Sequence, residues 1–170
     1  MGEGSMAGVE RRGARMTFEI RPMRDDDRMP AALLFAAVSE ERDGIASEPP
    51  VDVEARAARW ELESAFVAIA DTELVGSLHL FPSSFGYAEI GMHVAKEWRG
   101  RGVGTALMEA AINWARAEGL HKLSLSVFPH NVAGIALYRK FGFVEEGRRI
   151  KHMRRQSGEL WDLIDMGLLL

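Results

Sequence analysis

Residues 99–105 read Arg99, Gly100, Arg101, Gly102, Val103, Gly104, Thr105. Alternating glycines leave room for a ligand to touch the backbone, and the two guanidiniums add positive charge. If a helix starts in this turn, its first N–H groups and the positive end of its dipole face the same point, which makes an anion site able to hold a pyrophosphate. The glycine spacing is neither G-x-G-x-x-G nor G-x-x-x-x-G-K-[ST], so neither familiar nucleotide motif applies. Taken alone, the turn also reads as a solvated helix start. A second constellation lies downstream, where Asn131 and Tyr138 stand seven residues apart, nearly two helical turns, and so share one side. Each alone reads as an N-cap and a core aromatic. Glu89, five residues before Val94, is a candidate general base or else a solvated strand-end carboxylate. Glu40 and Glu41 offer weaker carboxylates at the end of an earlier helix.

Other chemistries are poorly supplied. The histidines at 79, 93, 121, 130 and 152 show no metal-ligand spacing, so no metal site is expected. His93 is a proton-relay candidate or simply a packed strand residue. No G-x-S-x-G is present, and the serines at 83 and 84 lack His and acid partners. The basic run Arg148, Arg149, Lys151, His152, Arg154 and Arg155 reads first as a solvated hairpin, with a phosphate, an acidic partner or RNA as the other readings.

Elements must hold these residues in place. TFEIRP alternates as a strand ending at Pro22, and the aspartates at 25–27 supply N-cap candidates for a helix through ALLFAAVSEE. Asp52 caps a predicted helix VEARAARWELE, and AFVAIA and LVGSLHLF follow as two strands turned at residues 71–73. YAEIGMHV is a further strand. From Gly102 to Glu118, Val103, Leu107, Ala110, Ala111 and Trp114 form one helical stripe, closed by Gly119. KLSLSVF is a strand, Asn131 caps a helix through Phe141 that Gly142 ends, and FVEEGRRI pairs with WDLIDMGLLL. A mixed sheet with helices on its faces, α/β or α+β, is implied.

The composition narrows the classes. The 170 residues are 47% hydrophobic and 27% charged, enough for one domain to bury a core. Residues 1–15 scatter four glycines among charges and read as a disordered tail, with a single domain over 16–170. A net charge of −4 gives no global field for nucleic acid or an anionic membrane. The absence of cysteine excludes disulfides, thiolate metal sites and a catalytic thiol. No apolar stretch of about 18 residues and no secretory apolar core occur, so a soluble cytoplasmic protein is expected.

The strand AEIGMHV, Arg99-x-x-Gly102-x-Gly104, and the Asn131 to Tyr138 helix followed by Phe-Gly-Phe resemble the GNAT superfamily of acyl-CoA-dependent N-acetyltransferases. The likeness is specific from Glu89 to Phe143. It implies a mixed, mostly antiparallel sheet splayed between its fourth and fifth strands, with acetyl-CoA as co-substrate in the cleft. It further implies that pantetheine pairs with the backbone of Met92, His93 and Val94 and that the pyrophosphate rests on amides from Gly100 to Thr105. Asn131 is expected to bind the pantetheine arm, and Tyr138 to act as general acid for the leaving thiolate. In a branch similar to phosphinothricin acetyltransferases, a glutamate at the place of Glu89 is the base. Ser126 stands where members that acetylate ribosomal-protein N-termini tend to carry glutamate. The expected reaction is direct acetyl transfer, in a ternary complex, to a small primary amine such as an amino acid or an amino-acid-like compound. A protein N-terminal or lysine acetyltransferase and a catalytically weak CoA-binding module remain the alternatives. A homodimer through the last strands is implied by family habit alone.

Overall fold

A computed structural model describes residues 17–170; the tail expected at residues 1–15 lies outside the described residues. Seven strands form one sheet: β1 (Glu19–Pro22), β2 (Ala65–Ala70), β3 (Glu73–Pro82), β4 (Tyr87–Val94), β5 (Lys122–Val127), β6 (Val144–Arg154) and β7 (Leu160–Leu169). Their order is β1-β2-β3-β4-β5-β7-β6, and every neighbouring pair is antiparallel except β4 with β5. The expected mixed, mostly antiparallel sheet with flanking helices is what forms.

The helices are α1 (Arg28–Glu40), α2 (Val53–Ala58), α3 (Val103–Ala117) and α4 (Val132–Lys140). Strand alternation divides the core between the two faces of the sheet. On one face, Leu78, Leu80, Ala88 and Leu123 meet Val103, Leu107, Met108 and Ala111 of α3. On the other, Val67 and Ala65 meet Ala31 and Phe35 of α1, with Trp60. The α3 stripe is wider than its sequence period suggested: Met108, Ile112 and Ala115 are buried, while Ala110 and Trp114 lie half-buried at its edge. Its N-terminus packs tightly, since a Cβ on Gly104 would come 3.1 Å from Leu137 of α4.

The second helix is shorter than the expected VEARAARWELE. Asp52 does cap it, accepting from the Ala55 N–H at 2.9 Å, but regular α-helix stops at Ala58. The chain turns there because Trp60 must drop into the core, where it is 5% exposed. Arg28 donates to the carbonyls of Ala57 and Trp60, which satisfies backbone acceptors that the helix end leaves open.

Candidate active site

The parallel β4–β5 ladder holds only Tyr87 with Lys122, Ala88 with Leu123 and Glu89 with Ser124. Beyond Glu89 the strands part, so one edge of β4 through Val94 has no strand partner, although the other stays paired to β3 as far as Gly76 with Val94. Such an edge presents free N–H and C=O groups to any extended ligand. A cavity of about 290 Å³ opens in the gap, lined by residues 90–93 of β4 and residues 125–128 that run on from β5. Asn131 and Tyr138 line it from α4, Phe35 from α1, Arg56 from α2, His79 and Phe81 from β3, together with the loop at 44–47.

Gly102 opens α3 in the left-handed region with φ +88°, a conformation a Cβ would strain, and Gly100 also has a positive φ, +71°. Gly102 supplies no side-chain cap, and no acidic residue sits in the first turn. The first helical bond runs from Ala106 N–H to the Gly102 carbonyl at 3.0 Å, which leaves the N–H groups of residues 103–105 without an acceptor inside the helix. An uncapped N-terminus of a helix this long is suited to an anion. Arg99 is engaged: its guanidinium makes a two-pronged pair with Glu41 at 2.8 and 2.9 Å, and its Nε donates to the Val94 carbonyl at 3.0 Å. Arg101 lies 5.5 Å from the centre of the Trp98 ring.

Asn131 spends its Oδ1 on capping α4, accepting from Gly134 N–H at 3.0 Å. Among the described residues its amide NH2 makes no hydrogen bond, so that end is available to the cavity it lines. Tyr138 packs at 5.9 Å from the Phe143 ring, and burial pushes its phenol up to about 12. It therefore keeps its proton at every physiological pH. Glu89 falls elsewhere. It is exposed, shares a face of β4 with Gly91 and His93, and does not line the cavity.

His79, which the sequence did not single out, lines the wall beside His93, and Ser77 joins the two. Ser77 Oγ sits 3.0 Å from His79 Nε2 and 3.1 Å from His93 Nε2, with all three side chains buried. A hydroxyl has one proton to give, so one Nε2 must accept it while the other donates. Burial holds both rings neutral, lowering His79 to about 2 and His93 to about 4, with Arg56 adding to both depressions. Trp60 stands edge-on to both rings. The available signal was the register: Ser77 lies opposite His93, and alternation puts His79 on the same face.

The basic run at 148–155 is largely compensated. Arg148 pairs with Asp162 at 2.9 Å and Arg149 with Asp165 at 2.7 Å, while Arg155 is buried and reaches Glu48 at 3.6 Å. Ser126 donates to Asp165 at 2.7 Å and receives Arg149 at 2.7 Å. No group of three or more residues able to hold a metal ion occurs among the described residues.

The comparisons agree with this geometry. The chain is 36% identical over 104 residues to the L-amino acid N-acetyltransferase AaaT of Escherichia coli, covering 56% of this chain and 62% of that protein. It is 34% identical over 95 residues to an L-methionine sulfoximine/L-methionine sulfone acetyltransferase of Pseudomonas aeruginosa, covering 56% of this chain and 55% of that one. The matches thus span less than two thirds of either relative. The crystal structure of a ribosomal-protein-alanine N-acetyltransferase from Brucella melitensis superposes with a TM-score of 0.80 at 28% identity, over 89% of this chain and 99% of that one. A model of the Acetyltransferase (GNAT) family matches residues 32–143, and with the split sheet and the uncapped glycine turn in place the chain belongs to that family.

Proposed function

We propose that this protein transfers the acetyl group of acetyl-CoA to the primary amine of a small, amino-acid-like molecule by direct attack in a ternary complex. The observation that carries the reading is the parting of β4 from β5 after Glu89, which opens a cavity walled by Asn131 and Tyr138 and lined by the edge of β4. The two amino-acid-directed relatives support the acceptor class.

Acetyl-CoA supplies the activated thioester; the chain supplies position and protons. The free backbone of Met92, His93 and Val94 pairs with the pantetheine as a strand would, and Asn131 donates its amide N–H to the same arm. The turn at Gly100, Arg101 and Gly102, with the N–H groups of Val103, Gly104 and Thr105, holds the diphosphate. A strand N–H near Val94 stabilises the oxyanion, a contact whose loss in other enzymes costs about 2.7–4 kcal/mol. As the new C–N bond forms and the C–S bond breaks, Tyr138 gives its proton to the departing sulfur.

The amine must shed a proton first. For a peptide N-terminal amine near pKa 7.8 that costs about 1 kcal/mol at pH 7, against roughly 4.6 for a lysine-like amine, and a free amino acid, whose carboxylate raises its amine above a peptide's, falls between them. An amino-acid acceptor therefore needs a base, and Glu89, exposed at the end of the β4–β5 ladder and outside the cavity wall, takes the proton through water rather than by direct contact. A protein N-terminus is the second reading, favoured by the Brucella neighbour.

Since the chain has no cysteine, CoA release can be followed with a thiol reagent free of protein background. Rates above acetyl-CoA hydrolysis with free amino acids are expected. A broad amine panel that gives none would leave a CoA-binding module as the better description.

A further inference from the structure

Arg56 differs from the ion-paired arginines of this fold. Arg21 pairs with Asp27, Arg28 with Asp25, Arg99 with Glu41, Arg148 with Asp162 and Arg149 with Asp165. Arg56 pairs with no carboxylate among the described residues, and its Nε is buried without a hydrogen-bond partner. The guanidinium instead lies 3.7 Å over the Phe35 ring and 5.4 Å from that of Trp60, at the cavity wall beside His79 and His93. The two rings attract the cation, but no neighbouring group among the described residues carries a negative charge to pair with it. Desolvation lowers its pKa and Arg59 lowers it further, while the two histidines are held neutral. A partly desolvated cation that the protein does not pair is costly until an anion reaches it.

The position of that anion follows from the cavity lining. None of residues 99–105, the proposed diphosphate cradle, borders this cavity. Asn131 and Tyr138 border it on the proposed thioester side, so Arg56 serves whatever approaches the thioester from the α1–α2 side. We propose that Arg56 binds the α-carboxylate of the acceptor, which makes the acceptor a free α-amino acid rather than a peptide or protein N-terminus. In a free amino acid the carboxylate and the amine share one carbon, so a charge-assisted bond to Arg56 fixes where the amine sits. In a polypeptide that carboxylate is replaced by an uncharged amide. The inference rests on the acetyl-transfer reading above and specifies its acceptor.

The test compares L-methionine and L-leucine with their α-amides, their decarboxylated amines and a Met-Ala-Ser peptide. Two readouts are used: kcat/KM for acetyl transfer, and calorimetric binding of each compound in the presence of CoA. The wild-type chain is expected to favour the acids at least tenfold in both. Arg56→Met should lower kcat/KM for the acids at least tenfold, leave that for the amides within about threefold, and keep acetyl-CoA affinity unchanged. Arg56→Lys should restore part of the preference for acids. Equal or better use of amides and peptide by the wild-type chain overturns the assignment and needs no variant. An equal loss for acids and amides in Arg56→Met, with acetyl-CoA affinity intact, also overturns it. If no compound is acetylated, the transfer reading fails, while carboxylate-selective binding still decides for or against Arg56.

Discussion

The α3–α4 half of the site and the α1–α2 half are held together by different kinds of contact. Around α3 and α4 the decisive bonds are short in sequence: Gly102 with Ala106, Asn131 with Gly134, and a left-handed glycine opening a helix. The α1–α2 half depends on partners far apart in the chain. Arg155 donates to the Ala46 carbonyl at 2.8 Å, Gln156 to that of Pro49 at 2.8 Å, and Arg42 to Gln156 at 2.8 Å. Ser77 and His93 likewise meet only through strand pairing. The first half is therefore set by local rules, and the second exists only once the whole sheet has formed.

That contrast has measurable consequences. Arg155, buried beneath Trp161 at 4.4 Å, should be the most sensitive single point. Arg155→Ala removes the closer of the two arginines that pair with Glu48 and the tie to Ala46, and is expected to cost about 3 kcal/mol in urea unfolding. The same variant should raise KM for the acceptor more than for acetyl-CoA. If both rise equally, the two halves are not separable in this way.

Acid should attack the same half. His79 and His93 titrate in the fold at about 2 and about 4, below the ordinary 6.5. As pH falls through 6.5 the unfolded chain takes up protons first, so the stability present at neutral pH is lost progressively toward pH 4 and below. At pH 5 the loss is on the order of 2 kcal/mol for each histidine. Urea midpoints at pH 7.5 and pH 5 measure it, and a flat profile would show that the rings are not held neutral.

On the α3–α4 side, Tyr138→Phe should lower kcat about a hundredfold with little change in acetyl-CoA affinity. An unchanged kcat removes the phenol from its role. Gly102→Ala should cost about 1 kcal/mol, because a Cβ at φ +88° is strained although nothing lies within 4 Å to crowd it. Weaker acetyl-CoA binding is the expected companion, and unaltered affinity would argue against the diphosphate cradle.

The same division explains what was legible beforehand. Residues 87–94 read as one strand and form one, and the helix after Gly102 begins where the glycine spacing placed it, since each signal lies within a few residues. The end of α2 was missed because the burial of Trp60 and the reach of Arg28 override the helical period. Arg56 lies within VEARAARWELE and His79 within LVGSLHLF, and neither segment's pattern marks them as neighbours. Their proximity depends on a strand pairing and a helix packing that one-dimensional spacing does not encode. The basic run was read first as a solvated hairpin; β6 pairs with β7 as a hairpin, but Arg155 is buried rather than solvated.

The loop at 42–50 is fastened to the turn at 154–157 through Arg42, Glu48, Arg155 and Gln156. The loop that lines the cavity at residues 44–47, on the proposed acceptor side, is thus anchored to the outermost hairpin of the sheet. Under the proposed function, substitutions in that hairpin would remodel the acceptor side while the turn at residues 99–105 keeps its shape, so specificity and cofactor use would diverge independently on one scaffold.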